Sequence, residues 1–106
     1  MKASEEIRSI LDRCKSGELE HKQAAFYFCG TARCVAGWKV HFDYCRRRKV
    51  KKPSIEALWT FAKQRPGNYA KRAWGLNQDQ SERLFGADAT YDEQYAVVAE
   101  LEAQGK

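Results

Sequence analysis

Apolar side chains along this chain recur at intervals of three and four and nowhere alternate over a stretch long enough for a strand, which predicts an all-α fold. Ile7, Ile10, Leu11 and Cys14 fall at i, i+3, i+4 and i+7, so a first helix is expected, with Ser4 as its N-cap and Ser16-Gly17 as its stop. A second is expected from Glu18 through Ala24, Ala25, Phe26 and Phe28, ending at Gly30, with Thr31 capping the next. That third helix carries the clearest stripe, Cys34, Trp38, His41, Phe42 and Cys45, with Ala36 and Gly37 small enough for a close neighbour. Ser54 caps a fourth bearing Ile55, Leu58, Trp59 and Ala62, halted near Arg65-Pro66-Gly67. A fifth carries Tyr69, Ala70, Ala73 and Trp74 and stops at Gly75. Asn77 caps a short sixth with Leu84 and Phe85, closed by Gly86. Thr90 and Glu93 form a capping box for the last, which presents Val97, Val98 and Leu101 and closes at Gly105. The expectation is a compact single-domain bundle of about five to seven short helices spanning residues 1–106.

A chain of 106 residues buries about two thirds of its unfolded surface, enough for one modest core without staples. With 43% hydrophobic and 12% aromatic residues, disorder is excluded as the overall state. No apolar run approaches a membrane span, and the first 25 residues lack a signal-peptide core, so a cytoplasmic protein without a membrane role is expected.

Charge changes the picture more than composition does. The net +5 hides a sharp segregation. Residues 1–30 are neutral, with five basic and five acidic side chains; residues 31–76 hold twelve basic and two acidic, net +10; residues 77–106 hold two basic and seven acidic, net −5. Such a split steers anionic partners towards one region. The plainer alternative is that the acidic third neutralises the basic one.

The segment Cys29-Gly30-Thr31-Ala32-Arg33-Cys34-Val35-Ala36-Gly37-Trp38 resembles a motif of small, largely uncharacterised helical proteins of bacteria and their phages. Weaker echoes follow at Ala73-Trp74-Gly75-Leu76 and Leu84-Phe85, so the resemblance covers roughly residues 26–86. It implies a compact helical fold and a prokaryotic or viral setting. It transfers no catalytic residue, and the basic run lies outside the shared pattern.

Six of the seven residues from Arg46 to Lys52 are basic: Arg46, Arg47, Arg48, Lys49, Lys51 and Lys52. Arg forks onto phosphate oxygens and Lys adds point charge. Lys63, Arg65, Lys71 and Arg72 extend the set, and Trp59, Tyr69 and Trp74 offer aromatic faces nearby in sequence. That mixture suits nucleic acid, where phosphates pair and unpaired bases stack; a solvated helix end is the competing reading. Tyr69 to Leu84 also reads as helix, turn, helix, with Gln78 to Arg83 able to meet base edges. Its second helix is short and carries two acids, so a plain helical corner is the stronger reading.

Cys29, Cys34, His41 and Cys45 are zinc-ligand candidates, with Cys14 and His21 as further donors. Cys29-x4-Cys34 is looser than a zinc knuckle, and Cys14, Cys34 and Cys45 occupy core-type positions, so structural thiols are expected ahead of zinc or a disulfide. No nucleophile elbow, no Cys-His pair with an orienting acid and no phosphate-cradling glycine loop is present. The three tryptophans are expected as core anchors, an exposed one being the informative exception. The sequence therefore predicts a non-enzymatic module without cofactor that docks nucleic acid or an acidic protein surface. The rival is a small phage-type effector that binds and modulates a host protein.

Overall fold

The computed structural model describes residues 2–21, 27–28, 32–86 and 88–106. Six helices run in chain order among them: α1 (Ala3–Lys15), α2 (Val35–Arg48), α3 (Ile55–Ala62), α4 (Pro66–Trp74), α5 (Gln78–Phe85) and α6 (Tyr91–Ala103). The radius of gyration is 12.7 Å, against about 13 Å for a folded chain of this length. The fold is the expected compact all-α bundle. No helix among the described residues is long and apolar enough to cross a membrane.

Between α1 and α2 the expectation fails. The described residues at either end of the expected second helix are extended rather than helical: β1 (Glu20–His21) and β2 (Tyr27–Phe28) join β3 (Ala32–Arg33) in a small sheet of order β1-β3-β2. Glu20 and His21 pair in parallel with Ala32 and Arg33, which pair antiparallel with Phe28 and Tyr27. Ala24, Ala25, Phe26, Cys29, Gly30 and Thr31 lie outside the described residues. The cap of α2 is Cys34, whose Sγ accepts from Gly37 N at 3.3 Å. The Trp38 indole NH donates to Glu20 O at 3.0 Å, pinning the small sheet to the first turn of α2.

Most start and stop signals act as their chemistry predicts. Ser54 accepts from Ala57 N at the start of α3, and Pro66 occupies the first turn of α4. Full capping boxes begin α5 at Asn77/Gln80 and α6 at Thr90/Glu93. Gly86 closes α5 for a steric reason: a Cβ there would lie 2.6 Å from the Glu82 carbonyl oxygen. Ser4 does not cap α1, whose N-cap position is Lys2 and carries no side-chain cap bond. The Ser4 hydroxyl donates instead to Lys106 O at 2.6 Å, tying α1 to the residues that follow α6.

Two clusters fill the interior. The larger gathers Ile7, Ile10, Leu11 and Cys14 of α1 with Val35, Ala36, Trp38, Ala70, Trp74, Leu84, Phe85, Val97, Val98 and Leu101. The smaller holds Val40, Leu58 and Ala62, flanked by Tyr44, Ile55, Phe61 and Tyr69. It anchors α3 to α2 and forms the floor beneath the basic region.

The predicted stripe of α2 needs correction. Trp38 is buried, but His41, Phe42 and Cys45 are only half-buried, while Val35, Ala36, Lys39, Val40 and Asp43 go inside. Neighbours enclose α2 from several sides, so no single apolar face defines it. Lys39 and Asp43 can enter because they neutralise each other one turn apart at 3.1 Å, with Glu6 of α1 as a further partner for Lys39.

Candidate functional site

The basic run begins on the last turn of α2, where cations complement the negative end of the helix dipole. Arg46 is tied down: its guanidinium meets Asp43 Oδ1 at 3.0 Å. The Tyr69 hydroxyl donates to Asp43 Oδ2 at 2.7 Å, so one carboxylate joins α2 to α4 directly beneath the run. Burial and that hydrogen bond push the Tyr69 hydroxyl well above its ordinary range, keeping it a donor.

Beyond Arg46, the run divides. Arg47 and Arg48 face a groove of about 660 Å³ between the end of α2 and α3, and Lys63 joins them from the far end of α3. Tyr44, Ser54, Glu56, Ala57, Thr60 and Phe61 complete its walls. The Arg47 guanidinium lies 5.7 Å from the Phe61 ring centre, and Phe61 meets Tyr44 edge to face at 5.4 Å. These contacts fix one of the groove's cations on an aromatic floor. Lys49 and Lys51 turn elsewhere, to a hollow shared with His41, Phe42, Cys45, Arg46 and Val50. Lys51 and Lys52 also border a cleft with Glu18, Leu19, Glu20, Trp38, His41 and Pro53. Lys71 and Arg72 line a third groove with Gln64 and Asn68, and Lys71 Nζ donates to Gln78 Oε1 at 2.6 Å. Arg65 stands exposed at the N-cap of α4. The ten basic residues singled out in sequence are thus spread over several hollows: Arg47, Arg48 and Lys63 share one, and Arg46, Lys49 and Lys51 another, where Arg46 is already paired with Asp43.

The acidic third does not neutralise this region. Glu102 pairs with Arg8 of α1, while Glu100 and Asp79 both pair with Arg83 of α5. Arg83 holds the Glu100 carboxyl below its usual range, and its own guanidinium is stabilised in return. Among the described residues no carboxylate lies within 4.0 Å of the charged nitrogens of Arg47, Arg48, Lys49, Lys51, Lys52, Lys63, Arg65, Lys71 or Arg72.

The aromatic candidates separate as well. Trp74 is 4% exposed, stacked on Phe85 with the Lys39 ammonium 5.4 Å from its ring. Tyr69 is half-buried with its hydroxyl engaged by Asp43. Trp59 is 42% exposed and is the exception among the three tryptophans. The α3 side of the groove is formed by Glu56, Ala57, Thr60, Phe61 and Lys63, and Trp59 does not line it. Sequence reasoning did not assign Tyr44, Ser54, Glu56, Thr60 or Phe61 to the site; the 56/60/63 spacing on a Ser54-capped helix was the signal available.

The helix-turn-helix reading fares poorly at its reading helix. Gln80 is buried in the capping box, Arg83 is held by two acids, and Gln78 bonds Lys71 and Glu82. Few side chains of α5 are left to meet base edges. No group of three or more His, Cys, Asp or Glu among the described residues gathers as a metal site, so Cys34, His41 and Cys45 do not form one there; Cys29 lies outside them. Cys14 and Cys34 are buried, and burial pushes the Cys14 thiol up to about 11, as expected for an inert core cysteine. Compared with known proteins, the chain matches no family model, no curated protein and no solved structure.

Proposed function

We propose that this chain is a non-enzymatic binding module that docks nucleic acid through the cationic groove between α2 and α3. One observation carries the reading: Arg47, Arg48 and Lys63 converge on a single groove, and among the described residues no carboxylate is paired to any of them. Gathering like charges in one hollow costs self-repulsion, which a bound polyanion relieves. Dipole compensation at the end of α2 accounts for the arginines on its last turn but not for Lys63, which arrives from another helix. Lys49, Lys51, Lys52, Arg65, Lys71 and Arg72 surround the groove in sequence and supply longer-range attraction.

The test is fluorescence anisotropy with labelled DNA and RNA oligonucleotides at low salt. Wild type should bind, and the double variant Arg47→Glu/Arg48→Glu should bind at least ~10-fold more weakly, the loss of two phosphate contacts and their replacement by repulsion. Absence of binding, or indifference to the double variant, would contradict the proposal.

A second reading, a small effector docking on an acidic protein surface, is favoured by the exposure of Trp59 and Val50 beside this charge. It requires a stoichiometric partner retained on the protein after nuclease treatment and released by Trp59→Ala.

A further inference from the structure

We infer that the two hollows bordered by Lys49, Lys51 and Lys52 form a docking face for an acidic peptide segment of a partner protein, with its apolar side chains seated in the hollows and a carboxylate on Lys51, which both hollows share. The face is separate from the nucleic-acid groove. The inference rests on the second reading above, to which it gives a place and a chemistry.

Three observations converge. First, the two hollows adjoin. The one beside Pro53, of about 480 Å³, and the one beside Val50, of about 520 Å³, have His41 and Lys51 in common. Lys49 ends α2 with a left-handed φ of +55°, and beyond that turn Val50 and Lys51 share the second hollow with Phe42 and Cys45. The Cys45 thiol meets Lys51 O at 4.0 Å, which ties the turned segment to α2. Second, both hollows combine apolar walls with lysines. Leu19 and Pro53 line the first, Phe42 and Val50 the second, and Val50 is 37% exposed. Covering such surface with a partner's leucine or phenylalanine supplies affinity that charge alone does not. Third, the charge selects an acid. Among the described residues no carboxylate pairs with Lys49, Lys51 or Lys52, while Glu18, which lines the first hollow with Glu20, is held by Arg13. Phosphate favours the guanidinium fork, whereas lysine is a point charge that a carboxylate meets as well. Arg47 and Arg48 face the other groove, so the two faces divide the run by chemistry. A bare polyanion would also leave the apolar walls of these hollows uncovered; an acidic segment with apolar side chains satisfies both features.

The experiment titrates the isotope-labelled full chain with three capped synthetic peptides of equal length and follows backbone amide NMR shifts. One peptide alternates Asp and Glu with Leu and Phe, the second alternates Asp and Glu with Ser, and the third alternates Lys with Leu and Phe. The acidic-apolar peptide should bind at least about ten-fold more tightly than either control, since one well-buried apolar side chain already supplies that factor. Its shifts should centre on Phe42, Val50 and Lys51, whereas an oligonucleotide should move Tyr44, Thr60 and Phe61. Val50→Ser, at an exposed position outside both core clusters, should weaken the peptide about five-fold and leave oligonucleotide binding unchanged. Equal binding by either control, shifts centred on Tyr44, Thr60 and Phe61 or on Trp59, or indifference to Val50→Ser would overturn the inference and leave the acidic-partner reading standing. No binding of either acidic peptide would overturn both. The shift map uses the unaltered protein, so it decides even if the variant fails to fold.

Discussion

At Asp43 a carboxylate that is 3% exposed accepts from Lys39 and Arg46 within α2 and from Tyr69 of α4. Removing it strands the Lys39 ammonium, 5% exposed, with Glu6 as its remaining acidic partner among the described residues. Asp43→Ala should therefore cost about 3 kcal/mol or more in urea denaturation, the range for breaking a buried ion pair; a cost below about 1 kcal/mol would show that the network contributes little. The Cys14 thiol supplies a pH signature. Its folded value, about 11, lies above the ordinary 9.0, so the folded protein holds the proton more tightly than the unfolded chain. Its stability contribution is complete below pH 9 and is lost as pH rises towards 11. Melting temperature should fall across that window, and Cys14→Ala should flatten the fall. Lys63 carries a different burden, a φ of +58° in the left-handed region that L side chains resist. Lys63→Gly should raise stability by about 1 kcal/mol while weakening nucleic-acid binding. That opposite movement of the two readouts separates a functional lysine from a structural one.

The helices themselves were largely legible, because their signals are local. Asn77 and Thr90 announce capping boxes, and Ile7, Ile10, Leu11 and Cys14 mark the buried side of α1 at 7% exposure or less. What sequence reading misplaced depends on distant partners. Ser4 looks like a cap, yet its hydroxyl goes to a carbonyl 102 residues away. The sheet after α1 is built of two-residue strands, too short to leave a period. Lys39 and Asp43 carry a helical spacing that anyone can read, but their burial depends on Glu6 and Tyr69, from two other helices. The candidate site was half legible for the same reason. The run Arg46–Lys52 is plain in sequence; that Arg47 and Arg48 part company with Lys49 and Lys51, and meet Lys63 over Phe61, follows from how α3 docks on the small core of Val40, Leu58 and Ala62.

Across the whole molecule, charge is sorted by the packing. The acidic α6 lies against α1 and α5, where Arg8 and Arg83 receive its carboxylates, and the basic grooves around α2, α3 and α4 keep their field. The decoupling follows from two cores, a large one holding the acidic face to its own arginines and a small one carrying the groove. The most direct test of the central claim is the salt dependence of single-strand affinity, compared between wild type and the triple variant Arg47→Gln/Arg48→Gln/Lys63→Gln. Each phosphate contact on a single strand contributes about 0.7 to the slope of log affinity against log salt, so the triple variant should lose about two from that slope. An unchanged slope in a triple variant that still folds would contradict the account.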